Sequence, residues 1–216
     1  MQRFERLRNR ILPLVSITLL VLLLALVLLA PAEARLGNVV KLVYVHGALI
    51  WVGLALYAVA GLLGLAALVI RRPMWYRATT AAGVAALPVW VVYVISAMAV
   101  TGLAWGQLFA WNEPRVRATI LILLADVVLL VAARLVGSRD FTAIVNIVMA
   151  VLTWFVIRQA EVIRHPVNPI GSSDSDTIQV FYLLIVMTVA GLAAILVTWL
   201  WVGLELKARA PARADG

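Results

Sequence analysis

The chain reads as an all-α integral membrane protein, a six-transmembrane-helix bundle with both termini cytoplasmic. Three observations predict this. Of 216 residues, 65% are apolar and only 13% are charged, which is more apolar surface than a soluble domain of this size can bury. The apolar residues fall in six runs, and a helix needs about 20 residues to cross roughly 30 Å of hydrocarbon. The Lys and Arg residues lie between those runs, unevenly divided between the two sides, as expected of a chain oriented by charge.

The first run, 11–30, follows a basic start (Arg3, Arg6, Arg8, Arg10) and precedes Ala32-Glu33-Ala34, a pattern resembling a signal-cleavage site. Signal cores are usually 7–15 residues and this run is longer, so a retained helix is expected. The remaining spans are expected at 42–70, 79–103, 118–133, 141–157 and 178–203. Asn112 and Pro114 read as the cap and first turn of the fourth helix. An even number of crossings leaves both ends on one side. That side carries twelve cations: Arg3, Arg6, Arg8, Arg10, Arg71, Arg72, Arg77, Arg134, Arg139, Lys207, Arg209 and Arg213. The other carries six: Arg35, Lys41, Arg115, Arg117, Arg158 and Arg164. The excess marks the cytoplasm.

The outward loops, 31–41, 104–117 and 158–177, are longer and chemically more mixed than the cytoplasmic connections, so a functional site is expected on the outer face. The whole chain forms one transmembrane domain, without an internal repeat, and its small polar tail, 208–216, is expected to fray. Cysteine is absent, which excludes disulfides, thiolate metal sites and covalent haem attachment through C-x-x-C-H. The net charge of +8 belongs to membrane orientation rather than to nucleic-acid binding, because the cations do not line a soluble face. Neither a hydrolytic triad nor a P-loop is present, and an enzyme is not expected.

Both histidines fall on the outer side. His46 lies in the first turns of the second span and His165 in the last outer loop. Two imidazoles from separate segments can clamp one non-covalent haem b by its iron. Singly, each has a plain alternative, an interfacial or a solvated histidine. Trp105, Phe109 and Trp111 lie between them in sequence, with rings suited to covering a flat macrocycle, although tryptophan belts are also routine at membrane interfaces. Arg115, Arg117, Arg164 and Lys41 are outward cations suited to the haem propionates or to lipid headgroups, and Arg164 adjoins His165. Gly53, Ala60 and Gly64 follow His46 at steps that keep to one helix face, admitting close helix packing.

Asp126 sits mid-span, where a carboxylate costs about 2.5–3.5 kcal/mol. It is expected to face the bundle interior in a structural hydrogen bond, with Asn146 a candidate partner. A carboxylate-driven transporter would rest on Asp126 alone. A cytochrome b carrying electrons across the membrane would want four histidines.

The outward histidine in Lys41-Leu42-Val43-Tyr44-Val45-His46-Gly47-Ala48-Leu49-Ile50-Trp51, the Thr101-Gly102-Leu103-Ala104-Trp105-Gly106 turn leaving the third span and the outward histidine before the sixth together resemble the haem-handling cytochrome c assembly proteins. The resemblance is nearest to the six-helix haem-exporter (CcmC) type, and is strongest over 41–70 and 99–125. It implies axial ligation of one haem by His46 and His165 beneath a tryptophan-rich loop reduced here to Trp105 and Trp111. It also implies delivery of haem to a haem chaperone or an apocytochrome, with ABC-transporter-type or other membrane subunits as partners. The setting would be a bacterial or archaeal plasma membrane, with the site facing the periplasm or exterior. The loop is shorter than the family's, and Val162-Ile163-Arg164 replaces a tryptophan pair. This leaves an alternative: a cofactor-free accessory or structural subunit of a larger membrane complex, derived from the same family.

Overall fold

Among the described residues, six helices are long and apolar enough to cross a membrane. They are α1 (Gln2–Leu29), α2 (Val40–Ile70), α3 (Pro73–Trp105), α4 (Pro114–Val136), α5 (Arg139–Gln159) and α6 (Asp176–Arg209). The structure is a computed structural model that describes residues 1–163, 170, 171 and 173–210. Among these residues the only strand-like feature is an isolated bridge between Glu33 and Gly37.

Every helix runs past its apolar stretch, because hydropathy marks the part in hydrocarbon whereas local backbone chemistry sets the ends. The basic head of the chain continues α1 outward through a π-helical turn, Leu7–Ile11. Pro73 and Pro114 open α3 and α4 in the first turn, where a missing N–H costs nothing. The cap of α4 is Glu113 rather than the expected Asn112. Gly106 and Gly137 close the same two helices with positive φ (69° and 66°), a conformation that a Cβ would strain. Ser138 and Ser175 cap α5 and α6 by accepting from the N–H groups of Phe141 (3.3 Å) and Ile178 (3.4 Å). Between α1 and α2 the chain turns tightly. The Glu33 carboxylate accepts from the N–H groups of Arg35 and Leu36, both at 2.9 Å, and the Lys41 ammonium donates to the Leu28 carbonyl at 2.7 Å, closing the end of α1.

Helix α2 is the centre of the bundle, packed between α3 and α5 with α6 alongside. Small residues make this possible. A Cβ built on Gly61 would come within 2.6 Å of the Ala150 Cβ, one on Gly64 within 2.7 Å of the Ala143 carbonyl oxygen, and one on Gly53 within 2.9 Å of the Trp90 ring. The small-residue face of α2 is therefore closed by α5 below and by an indole of α3 above. Helix α4 lies on α5, and α1 lies outside, chiefly on α6.

Several buried polar groups are bonded between helices, since hydrocarbon offers no partner. The Thr79 hydroxyl donates to the Ala60 carbonyl (2.9 Å), which leaves its oxygen to accept from the Asn146 amide (2.8 Å). That amide also donates to the Thr79 carbonyl (3.0 Å). The indole N–H of Trp154 donates to the Leu54 carbonyl at 3.2 Å. Helices α2, α3 and α5 are thus tied at one level by a single polar knot.

Gly61→Leu is expected to destabilise the protein by about 1–3 kcal/mol, the usual cost of overpacking. Leu62→Ala, one residue on and 67% exposed, should be nearly neutral. Thermal unfolding of the two variants in mild detergent checks the difference.

Candidate functional site

Helix α2 begins at Val40, so His46 lies almost two turns inside it and is half-buried rather than at the helix tip. Its Nδ1 is 3.2 Å from the Ser96 hydroxyl of α3. That hydroxyl donates to the Tyr93 carbonyl at 2.7 Å, so its oxygen is left to accept. With the hydroxyl so directed, the partner it calls for is the His46 tautomer protonated at Nδ1, one of the two neutral forms in which imidazole can ligate a metal. The Tyr93 ring stacks on the imidazole, with centroids 4.9 Å apart and planes 17° from parallel.

Sequence reasoning missed both Tyr93 and Ser96. They belong to a stripe of α3, Trp90-Tyr93-Ser96, that recurs every third residue and faces α2. The stripe continues inward. Tyr93 packs on Trp90 (4.8 Å, 53°), and Trp90 meets Tyr57 of α2 edge-on (5.5 Å, 68°). The Tyr57 hydroxyl donates to the Asp126 carboxylate of α4 at 2.6 Å. The Trp90 indole N–H donates to the Thr119 carbonyl at 3.1 Å, drawing α4 against the same stack. A continuous row of rings therefore runs from His46 to an acid at mid-span.

Asp126 is 3% exposed and faces the interior as expected, but its partner is Tyr57. Asn146 is committed to Thr79. Tyr57 follows His46 by eleven residues, three turns along the same face of α2, so the signal was periodic and had no conspicuous chemistry.

The loop between α3 and α4 holds the remaining aromatic candidates. Trp105 ends α3, nine residues beyond Ser96, a rise of about 13 Å along the helix, and is half-buried. Trp111 is 56% exposed and stacks on Phe109 at 5.3 Å, nearly parallel. The ring against His46 is thus Tyr93, while Trp105 and the Phe109–Trp111 pair lie further out.

Arg115 is engaged at a helix end. Its Nη2 donates to the carbonyls of Ile157 (3.3 Å) and Ala160 (3.2 Å), the last of α5, while its buried Nε–H has no partner among the described residues. Arg117 is exposed. Lys41 closes α1.

Arg164 and His165 lie outside the described residues. The described chain on both sides of them returns to the His46 end of the bundle. The Ile163 N–H donates to the buried Glu113 carboxylate at 3.1 Å, and Ile170 is packed in the core. A cleft of about 340 Å³, lined by Ile170, Gly171, Gln179, Val180, Tyr182 and Leu183, opens there. Tyr182 abuts Gly47, next to His46, where a Cβ would come 3.0 Å from its hydroxyl.

No protein-family model matches the chain, and no curated protein matches it significantly.

Tyr57→Phe strands a buried carboxyl and is expected to cost about 1–3 kcal/mol. Combining it with Asp126→Leu should recover part of the loss, giving a non-additive double-mutant cycle. Unfolding free energies of the four proteins in detergent check the coupling.

Proposed function

We propose that this multi-pass membrane protein is a haem handler of the cytochrome c assembly kind. In this reading it holds one non-covalent haem b at its outer face between His46 and His165, for delivery to a haem chaperone or an apocytochrome. The observation that carries the proposal is the preparation of His46. The Ser96 hydroxyl, 3.2 Å from Nδ1, holds the ring from that side, as an outer partner orients a ligating imidazole. Tyr93 stacked on the imidazole restricts its rotation. The return of Ile163 and Ile170 to the same end supports a second ligand from the intervening residues. Haem, when bound, supplies an iron whose axial bonds can be exchanged. The chain's residues bind and orient, and no catalytic residue is assigned.

Orientation follows from charge. The sequence division of the cations, twelve against six, favours both termini in the cytoplasm of a bacterial or archaeal plasma membrane, with His46 facing the periplasm or exterior. Arg117 and Arg164 are the cations proposed for the propionates, with Arg115 already engaged through its Nη2. Trp105 and Trp111 are proposed to cover the outer edge of the macrocycle.

A second reading, a cofactor-free accessory subunit of a larger membrane complex, is favoured by the engagement of Arg115 on α5 carbonyls and by the stacking of Phe109 and Trp111 on each other.

Purified protein supplied with haem should show a low-spin bis-imidazole spectrum that is lost in His46→Ala and in His165→Ala. Ser96→Ala should keep the spectrum but weaken haem binding about 10–100-fold, as loss of a ligand's hydrogen-bond partner does. A spectrum indifferent to both histidines overturns the proposal, and haem-free protein that co-purifies with stable partners favours the second reading.

A further inference from the structure

At the opposite end of the bundle, α1 and α6 bring together a cluster of cations and aromatic rings with no part in the histidine site. The Arg8 guanidinium lies over the Trp199 ring, 4.5 Å from its centroid. It rests against the backbone of Gly203, where a Cβ would stand 3.4 Å from its Cζ. Two residues on, Glu205 is buried, and its two oxygens are taken by Arg77 (2.6 Å) and Arg209 (3.5 Å). Arg209 also covers Phe4 at 4.8 Å. Arg8 forms no ion pair among the described residues, and its Nε–H has no hydrogen-bond acceptor among them.

Beside this cluster a groove of about 250 Å³ runs between the same two helices, lined by Leu12, Ser16, Leu192, Ile195, Leu196 and Trp199 among others. Its one hydroxyl, Ser16, donates to the Leu12 carbonyl at 2.9 Å, and the groove is mainly apolar. Trp199 belongs to both features. A half-buried guanidinium without an ion-pair partner among the described residues, next to a lipid-level groove suited to hydrocarbon, matches one molecule with those two parts. We infer that this is a specific site for an anionic phospholipid, its phosphodiester on Arg8 and an acyl chain between α1 and α6. The planar fork of arginine suits phosphate oxygens, and basic pockets between helices at a membrane surface select anionic headgroups. A zwitterionic lipid carries its own cation into a region that is already net positive. The inference does not depend on the haem reading.

The test is native mass spectrometry of the full chain in mild detergent, after incubation with equal amounts of phosphatidylglycerol and phosphatidylcholine. Wild-type protein is expected to retain one phosphatidylglycerol, several-fold in excess of phosphatidylcholine. Arg8→Gln, which keeps the stem packed on Trp199, should abolish the preference. Leu196→Trp, which fills the groove and leaves every charge, should abolish retention. Arg10→Ala, at an exposed position of the same helix, should change neither. Equal or absent retention of the two lipids by wild type overturns the site, as does full retention in Leu196→Trp or equal loss in Arg10→Ala. A dimer that Leu196→Trp dissociates would overturn it too, by assigning the groove to a second copy. Should Arg8→Gln fail to fold, the groove-filling variant and the lipid preference of wild type decide the matter.

Discussion

The interaction on which the bundle depends is the close approach of α2 to α3 and α5 around Gly61 and Gly64, tied by Thr79 and Asn146. Lipid gives helices no hydrophobic reason to associate, so contact must come from packing and from hydrogen bonds that hydrocarbon cannot supply. Glycine lets α2 meet the backbone of α5, and Gly83 on α3 does the same for the Asn146 side chain. With the approach so close, one amide can bond a carbonyl and a hydroxyl on its neighbour at once. Bulk at those positions would separate the helices and unmake the polar knot together with the packing.

This rigid centre governs the histidine end. His46 and Tyr57 are carried on one face of α2, and Trp90, Tyr93 and Ser96 on the facing stripe of α3, so the register between two helices fixes the three contacts that join them. The hold of Ser96 on the imidazole is a property of that register: shift α3 by one residue and the hydroxyl leaves Nδ1. Asp126 adds α4 to the arrangement through Tyr57, so the acid acts as a brace for the ring stack and not as an isolated charge.

The six spans were legible in the sequence because a membrane selects for composition, and composition survives any permutation of partners. Helix ends were less so, since they answer to Pro73, Pro114, Gly106 and Gly137 and to serine caps, each outside the apolar run. That Asp126 must face inward followed from its cost in hydrocarbon. That it would find Tyr57 and not Asn146 did not, because the choice depends on how α2 is rotated against α4. Arg115 shows the same gap. Its charge and outward loop suggested an anion as partner, yet the carbonyls at the end of α5 are exposed acceptors in its reach. His46 was legible as a residue, while Tyr93 and Ser96, which give it its geometry, are unremarkable residues until α3 is laid against α2.

The placement of α1 has a consequence for biogenesis. Helix α1 finds its main surface of attachment on α6 and only a narrow one on α2. It can seat fully only once α6 is in place, and loss of α6 would leave α1 resting on α2 alone.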